Sequence, residues 1–165
     1  MSLLAKICGA VPVEARDGIR LVSGAPWEVS AIRDLPQFLR ALSALLPSGT
    51  ILYLECVSAQ DVIEFLAIKS AKNTSKVALG TIWPRPNFFH LELTQTNMME
   101  LAELCERHAT FEVCIHLHAY KDGRVVLEWH DAFTQPLLLA GDIPENRVAE
   151  FCRLLNCQYQ RTLIP

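Results

Sequence analysis

The stretch "CIHLHAYKDGRVVLEWHDAF", residues 114–133, constrains the fold more than any other. Asp122-Gly123 is a strong hairpin-turn signal, and apolar residues alternate on both sides of it. Two registers are possible. A two-residue Asp122-Gly123 loop pairs Lys121 with Arg124 and mixes polar with apolar residues on both faces. A three-residue loop pairs Tyr120 with Arg124. It then puts Val113, Ile115, Leu117 and Ala119 on one face with Val125, Leu127, Trp129 and Phe133. Only this second register separates core from water, so the hydrophobic pattern selects it. Trp129 and Ile115 are then expected as buried neighbours. Asp131 is a misfit on the apolar face, which places it near the strand end or against a helix terminus.

The other face of that hairpin is chemically rich. In the selected register His116 faces Glu128, and Cys114 faces His130. His118 follows His116 by about 6.7 Å along the strand. Two histidines at i and i+2, with a third across the ladder, permit a zinc site of His116, His118 and His130 with an open position. H-x-H is common by chance, and no carboxylate is evidently placed to orient the ligands. The preferred reading is therefore a solvated or partner-facing surface, with no metal and no cofactor. Cys114 beside His130 also has the makings of a nucleophile and base. A mid-strand cysteine, however, lacks the helix N-terminus that activates thiolates.

The rest of the chain supplies the elements around this hairpin. "DLPQFLRALSALLP" reads as a helix capped by Asp34, with Gln37 completing a capping box and Phe38, Leu42, Leu45 and Leu46 as its stripe. "TILYLECV" suits a central strand. A helix over "AQDVIEFLAIKSA" leads to a strand "KVALGTI", which predicts a parallel, right-handed crossover. "WPRP" ends that strand. "NFFHLELT" alternates strictly, with His90 and Glu92 on its polar side. A helix starting near Thr96 or Asn97 carries Met98, Leu101, Ala102 and Cys105, and a strand "TFEVCIHLHAY" follows. The last helix, "DIPENRVAEFCRLLN", repeats the Asp-x-Pro opening, so Asp142 is expected to cap it. Before the first helix, "GIRLVSGAPWEV" reads as a short strand and a turn at Gly24-Ala25-Pro26.

The predicted fold is one α+β domain spanning residues 1–165, with a five- to six-stranded mixed sheet and helices mainly on one face. Its order is α-β-α-β-β-α-β-β-α. If the strands join one sheet, four of the five histidines share its open face with Tyr53 and Glu55. His108 is expected at a helix C-terminus.

A chain of 165 residues buries roughly two thirds of its unfolded surface and needs no staple. Its six cysteines, at 8, 56, 105, 114, 152 and 157, include no C-x-x-C pair, and all six are expected as free thiols in a reduced, cytoplasmic setting. The N-terminus lacks a signal-peptide pattern, and no run reaches membrane-span length. Net charge is −3, and the one basic cluster is Lys69, Lys72 and Lys76. That argues against a nucleic-acid partner. G-x-S-x-G, Walker and G-x-G-x-x-G motifs are absent from the sequence.

Together these point to a binding protein rather than an enzyme. It would hold a protein partner on its open sheet face (His90, Glu92, His116, His118, Glu128, His130) or on the loop of Trp83 and Arg85. Small antitoxin-like or immunity-like proteins have this size and charge, an analogy and no more. The alternative is a His-based, zinc-dependent enzyme or sensor centred on the hairpin.

Overall fold

The structure, a computed structural model, describes residues 18–21, 25–81 and 83–162. Cys8, Gly24 and Ile82 lie outside the described residues; of the segment 18–29 only residues 22–24 do, and there Ile19 makes an isolated bridge with Val77 while the strand begins at Trp27.

The strands are β1 (Trp27–Ser30), β2 (Ile51–Glu55), β3 (Phe88–Glu92), β4 (His116–Lys121), β5 (Arg124–Trp129), β6 (Leu137–Leu139) and β7 (Gln158–Arg161). The helices are α1 (Leu35–Leu45), α2 (Gln60–Ile68), α3 (Gln95–Cys105), the single turn α4 (Thr110–Val113) and α5 (Glu145–Leu155). Among the described residues the architecture is α+β, with one seven-stranded sheet in the order β3-β2-β4-β5-β6-β1-β7. Every strand pair in it is antiparallel. The predicted mixed sheet of five to six strands and its element order are thus corrected. No helix among the described residues is long and apolar enough to cross a membrane.

All five helices contribute to one apolar core on one face of the sheet. Leu52 and Leu54 of β2, Leu91 of β3, Leu117 and Ala119 of β4, and Leu127 and Trp129 of β5 point into it. From the helices come Phe38, Leu42, Val62, Met98, Leu101, Val113, Val148 and Phe151. The period-2 pattern of the strands and the 3.6 period of the helices meet in this layer.

The crossover fails for an identifiable reason. Residues 76–81, the described part of "KVALGTI", make no strand. Val77 forms an isolated bridge with Ile19, and the N–H groups of Gly80 and Thr81 go to the side chain of Glu55. Those donors are spent on a carboxyl group instead of a ladder. The segment starts at the edge of β3, where Ala71 N–H donates to His90 O, and then crosses the sheet face opposite the helices.

"TFEV" is a helical turn instead of a strand start. Its Glu112 carbonyl accepts the N–H groups of Ser58 and Ala59 at the head of α2. This tertiary demand overrides the local β preference. As a result β4 begins only at His116 and Ile115 is 39% exposed, so the expected pair of buried residues is corrected: Trp129 is buried and Ile115 is not.

Neither proposed hairpin register survives whole. Asp122 and Gly123 both have positive φ, as a two-residue hairpin turn requires, and Lys121 pairs with Arg124. Tyr120 pairs with Val125, but Ala119 pairs with Leu127, so Val126 is the extra residue of a β-bulge. The bulge flips the strand's parity. Leu127 and Trp129 thereby return to the core, while Val125 joins Tyr120 on the opposite face. His118, not His116, faces Glu128. Asp131 lies beyond the strand end in a left-handed turn, which resolves its misfit.

The capping expectations divide. Asp34 does cap α1 through Gln37 N–H, but the Gln37 side chain reaches Leu154 O of α5. Thr94, not Thr96 or Asn97, caps α3. α5 has no side-chain cap: its N-cap position is Pro144, and Asp142, two residues earlier, pairs with Arg124.

Candidate functional site

The face opposite the helices gathers four histidines, two tyrosines and three glutamates, Glu92 at its edge. Cross-strand pairing aligns them: Glu55 lies between Phe88 and His116, and Tyr53 between His90 and His118. Alternation along β4 adds Tyr120, and along β5 adds Glu128, with His130 just past the strand end.

This face is not open. Residues 71–81 and 19–21 cover it. His116 is 5% exposed, His118 2% and Glu55 fully buried. The expectation of a water-facing or partner-facing histidine row is therefore corrected at His116 and His118. His90 is half-buried, and of the predicted face residues only Glu92, at the end of β3, is exposed.

Glu55 organises the cover. A carboxyl group removed from water needs its oxygens occupied. Tyr53 OH and Gly80 N–H donate to Oε2 at 2.9 and 3.0 Å, and Thr81 N–H donates to Oε1 at 2.6 Å. Gly80 is required here, since a Cβ on it would meet the His116 ring at 2.5 Å. Burial, with the nearby Glu55, pushes the Tyr53 phenol well above its ordinary range.

The backbone sets the tautomer of each buried histidine. Asp131 N–H donates to His116 Nδ1 at 3.1 Å, so the His116 proton sits on Nε2 and is donated to Thr81 Oγ1 at 3.0 Å. Trp129 N–H donates to His118 Nδ1 at 3.3 Å, which leaves the His118 proton on Nε2. That Nε2 is buried and has no hydrogen-bond partner. Burial lowers the His116 pKa and pushes that of His118 down to about 3, so His118 is neutral at physiological pH.

His130 is the opposite case. Its Nε2 lies 2.5 Å from Glu128 Oε1, and this hydrogen bond raises its pKa against the effect of burial. Burial acts to raise the Glu128 pKa, but the His130 bond and Leu21 N–H, donating to Oε2 at 3.0 Å, bring it below the usual value. Two histidines a few ångströms apart thus have their pKa values moved in opposite directions, which is how environment assigns roles to identical groups. The ring centroids of His118 and His130 are 4.8 Å apart, and those of His116 and His130 5.4 Å. His90 Nδ1 contacts Tyr120 OH at 3.0 Å, and burial lowers its pKa.

The rings of His116, His118 and His130 therefore come together, as the zinc alternative required, but their nitrogens do not converge. Both nitrogens of His116, Nδ1 of His118 and Nε2 of His130 are engaged elsewhere. Among the described residues no three His, Cys, Asp or Glu side chains are placed to hold an ion. The Cys114–His130 pairing is also corrected. Cys114 lies in the helix-side core, and burial pushes its thiol pKa far up.

The second predicted site, Trp83 and Arg85, is fully accessible, with Trp83 85% exposed. Thr81 and Gly80 were not anticipated as site residues. A glycine inside the apolar run "VALGTI" was their only signal, since such a glycine often marks close backbone approach. His108 is half-buried and contacts Asp61 Oδ1 at 2.7 Å, away from this face.

No protein-family model, curated protein or solved structure matches this chain. Its chemistry must be read from its own side chains.

Proposed function

We propose that this chain is a non-catalytic binding protein that grips a protein partner through the Trp83–Pro86 loop. One observation carries the reading: an 85% exposed indole stands on an anchored loop. Asn87 anchors it. Its side chain accepts from Val57 N–H at 2.9 Å and donates to Val57 O at 2.7 Å, and its carbonyl accepts Cys56 N–H. A loop tied down at Asn87 before binding has less backbone freedom left to lose.

Arg85 follows two residues later and is also exposed. Trp and Arg are the residue types that dominate binding hot spots. Phe88, 44% exposed, and Ile115, 39% exposed, extend the apolar surface at the same end of the sheet, on either side of Glu55. The complementary partner offers an apolar pocket with acidic groups at its rim. The five described cysteines are free, which suits a reducing compartment, and we place the chain in the cytoplasm.

The test is a partner captured by the wild-type chain, then titrated against Trp83→Ala and Arg85→Ala. Trp83→Ala should weaken binding by about tenfold or more, equivalent to about 1.4 kcal/mol. Its urea midpoint should stay unchanged. A partner that binds Trp83→Ala as tightly as wild type would place the interface elsewhere.

A further inference from the structure

We infer that Cys152 and Cys157 form a modification site, a dithiol that a hydroperoxide converts reversibly to a disulfide. The end of α5 brings the pair together. Asn156, with a φ of 50, takes a left-handed conformation just past the helix. Cys157 N–H then donates back to Cys152 O at 3.0 Å, and Asn156 N–H donates to Arg153 O at 3.4 Å. These two bonds define a Schellman motif, in which the side chains at either end of the longer bond commonly meet. Here both of those residues are cysteines. With a backbone hydrogen bond between them, standard bond lengths hold their Cα atoms within about 7 Å, the reach of a disulfide.

Burial divides the work between the two sulfurs. Cys152 belongs to the core, whereas Cys157 is half-buried at its rim. An oxidant from solvent therefore meets Cys157 first. Cys105 and Cys114 are both buried and offer no such access. The Cys152 thiol donates to the Cys157 sulfur and lowers its pKa, which favours the thiolate, the form that attacks a peroxide.

The chemistry closes within the pair. The Cys157 thiolate attacks the O–O bond of the hydroperoxide and becomes a sulfenic acid. The other peroxide oxygen leaves as hydroxide or alkoxide and takes a proton from solvent. The Cys152 sulfur then attacks the sulfenic sulfur, the S–S bond forms, and the sulfenic oxygen departs with the Cys152 proton as water. The dithiol is oxidised by two electrons, and the hydroperoxide is reduced to water or an alcohol. A dithiol reductant reverses the change by exchange at the disulfide and is itself oxidised to one. Transient disulfides of this kind belong to reducing compartments. The inference does not depend on the Trp83 loop.

The test takes the reduced full chain, adds a small excess of hydrogen peroxide, blocks the remaining thiols with N-ethylmaleimide and maps tryptic peptides by mass. Cleavage after Arg147, Arg153 and Arg161 separates the two cysteines, so their disulfide joins peptide 148–153 to peptide 154–161. The joined pair should appear with the loss of two blockable thiols, and dithiothreitol should restore both. Cys152→Ser should leave Cys157 as a sulfenic acid that dimedone traps. Cys157→Ser should leave Cys152 reduced at the same dose. Should either variant fail to fold, the wild-type map decides alone. A map without the joined pair overturns the inference, whether Cys157 stays reduced, passes on to a sulfinic acid or pairs with another cysteine.

Discussion

The backbone of Gly80 lies against the imidazole of His116, so close that a Cβ at Gly80 would come within 2.5 Å of the ring's Cγ and Cδ2. The ring cannot give way easily, because both of its nitrogens are held. Gly80→Ala should therefore destabilise the fold by about 1–3 kcal/mol, the usual range for overpacking. Gly123→Ala is the control. Nothing lies within 4 Å of a Cβ there, and only its φ of +72 is unfavourable, which costs about 1 kcal/mol. Equal losses in urea unfolding would show that the cover yields where it meets His116.

Trp129 is 1% exposed and packs between Phe38, at 5.0 Å between ring centroids, and Phe133, at 4.5 Å. Trp129→Ala should cost about 3–5 kcal/mol. Had the histidine row been exposed, His118→Ala would have been nearly neutral. Because His118 is buried, its loss should cost about 2–3 kcal/mol. That is less than for Trp129, since the substitution also removes an unpaired donor. An effect of His118→Ala below about 0.5 kcal/mol, the surface range, would mean that the covering segment does not shield it.

Stability should fall as the solution is acidified below about pH 6.5. The unfolded chain protonates His118 near 6.5, whereas the fold refuses that proton until about pH 3. Between those values the unfolded state binds more protons, so this one group makes stability fall by about 1.4 kcal/mol per pH unit of acidification. His116 and His90, both lowered by burial, act in the same direction. Glu128 adds a loss as pH drops below 4.5 toward its lowered folded value. His130 acts oppositely: its contribution is complete below pH 6.5 and is lost as pH rises through its raised folded value. Urea unfolding at pH 7, 6 and 5 should show a shallower slope for His118→Gln than for wild type. Parallel slopes would remove His118 as the source.

Cys157 should alkylate before Cys105 and Cys114 in the native protein. A hydrogen bond from Cys152 lowers the Cys157 thiol against the effect of its half-burial, and burial raises Cys105 to about 12 and Cys114 further. Peptide mapping after brief iodoacetamide treatment checks this order. Early labelling at Cys114 would place that residue outside the core.

The helices and the core face were legible because their apolar residues recur at periods that only those elements satisfy. Leu127 and Trp129 lie on the same face as Leu117 and Ala119, as the alternation required. What alternation could not reveal was the Val126 bulge, which reconciles a two-residue turn with a face pattern that a simple ladder of that turn would scramble. Nor could periodicity distinguish "KVALGTI" as a cover from a strand. Both bury the same apolar residues, and the difference lies in where the amide protons of Gly80 and Thr81 go. The histidines were singled out correctly as unusual, but their burial depended on that unseen crossing.

The cover also has a dynamic consequence. Val77 forms only an isolated ladder bridge, with Ile19, and the backbone N–H groups of Gly80 and Thr81 are held by the Glu55 side chain alone, with the Thr81 hydroxyl on His116. Such a segment can detach while the ladder under it stays intact, a local opening with a free energy far below that of global unfolding. Amide exchange at Gly80 and Thr81 would then outpace exchange at Leu52 or Leu117. Glu55 would be the latch of a lid that admits solvent to a proton-poor row of imidazoles without disturbing the core on the far side of the sheet.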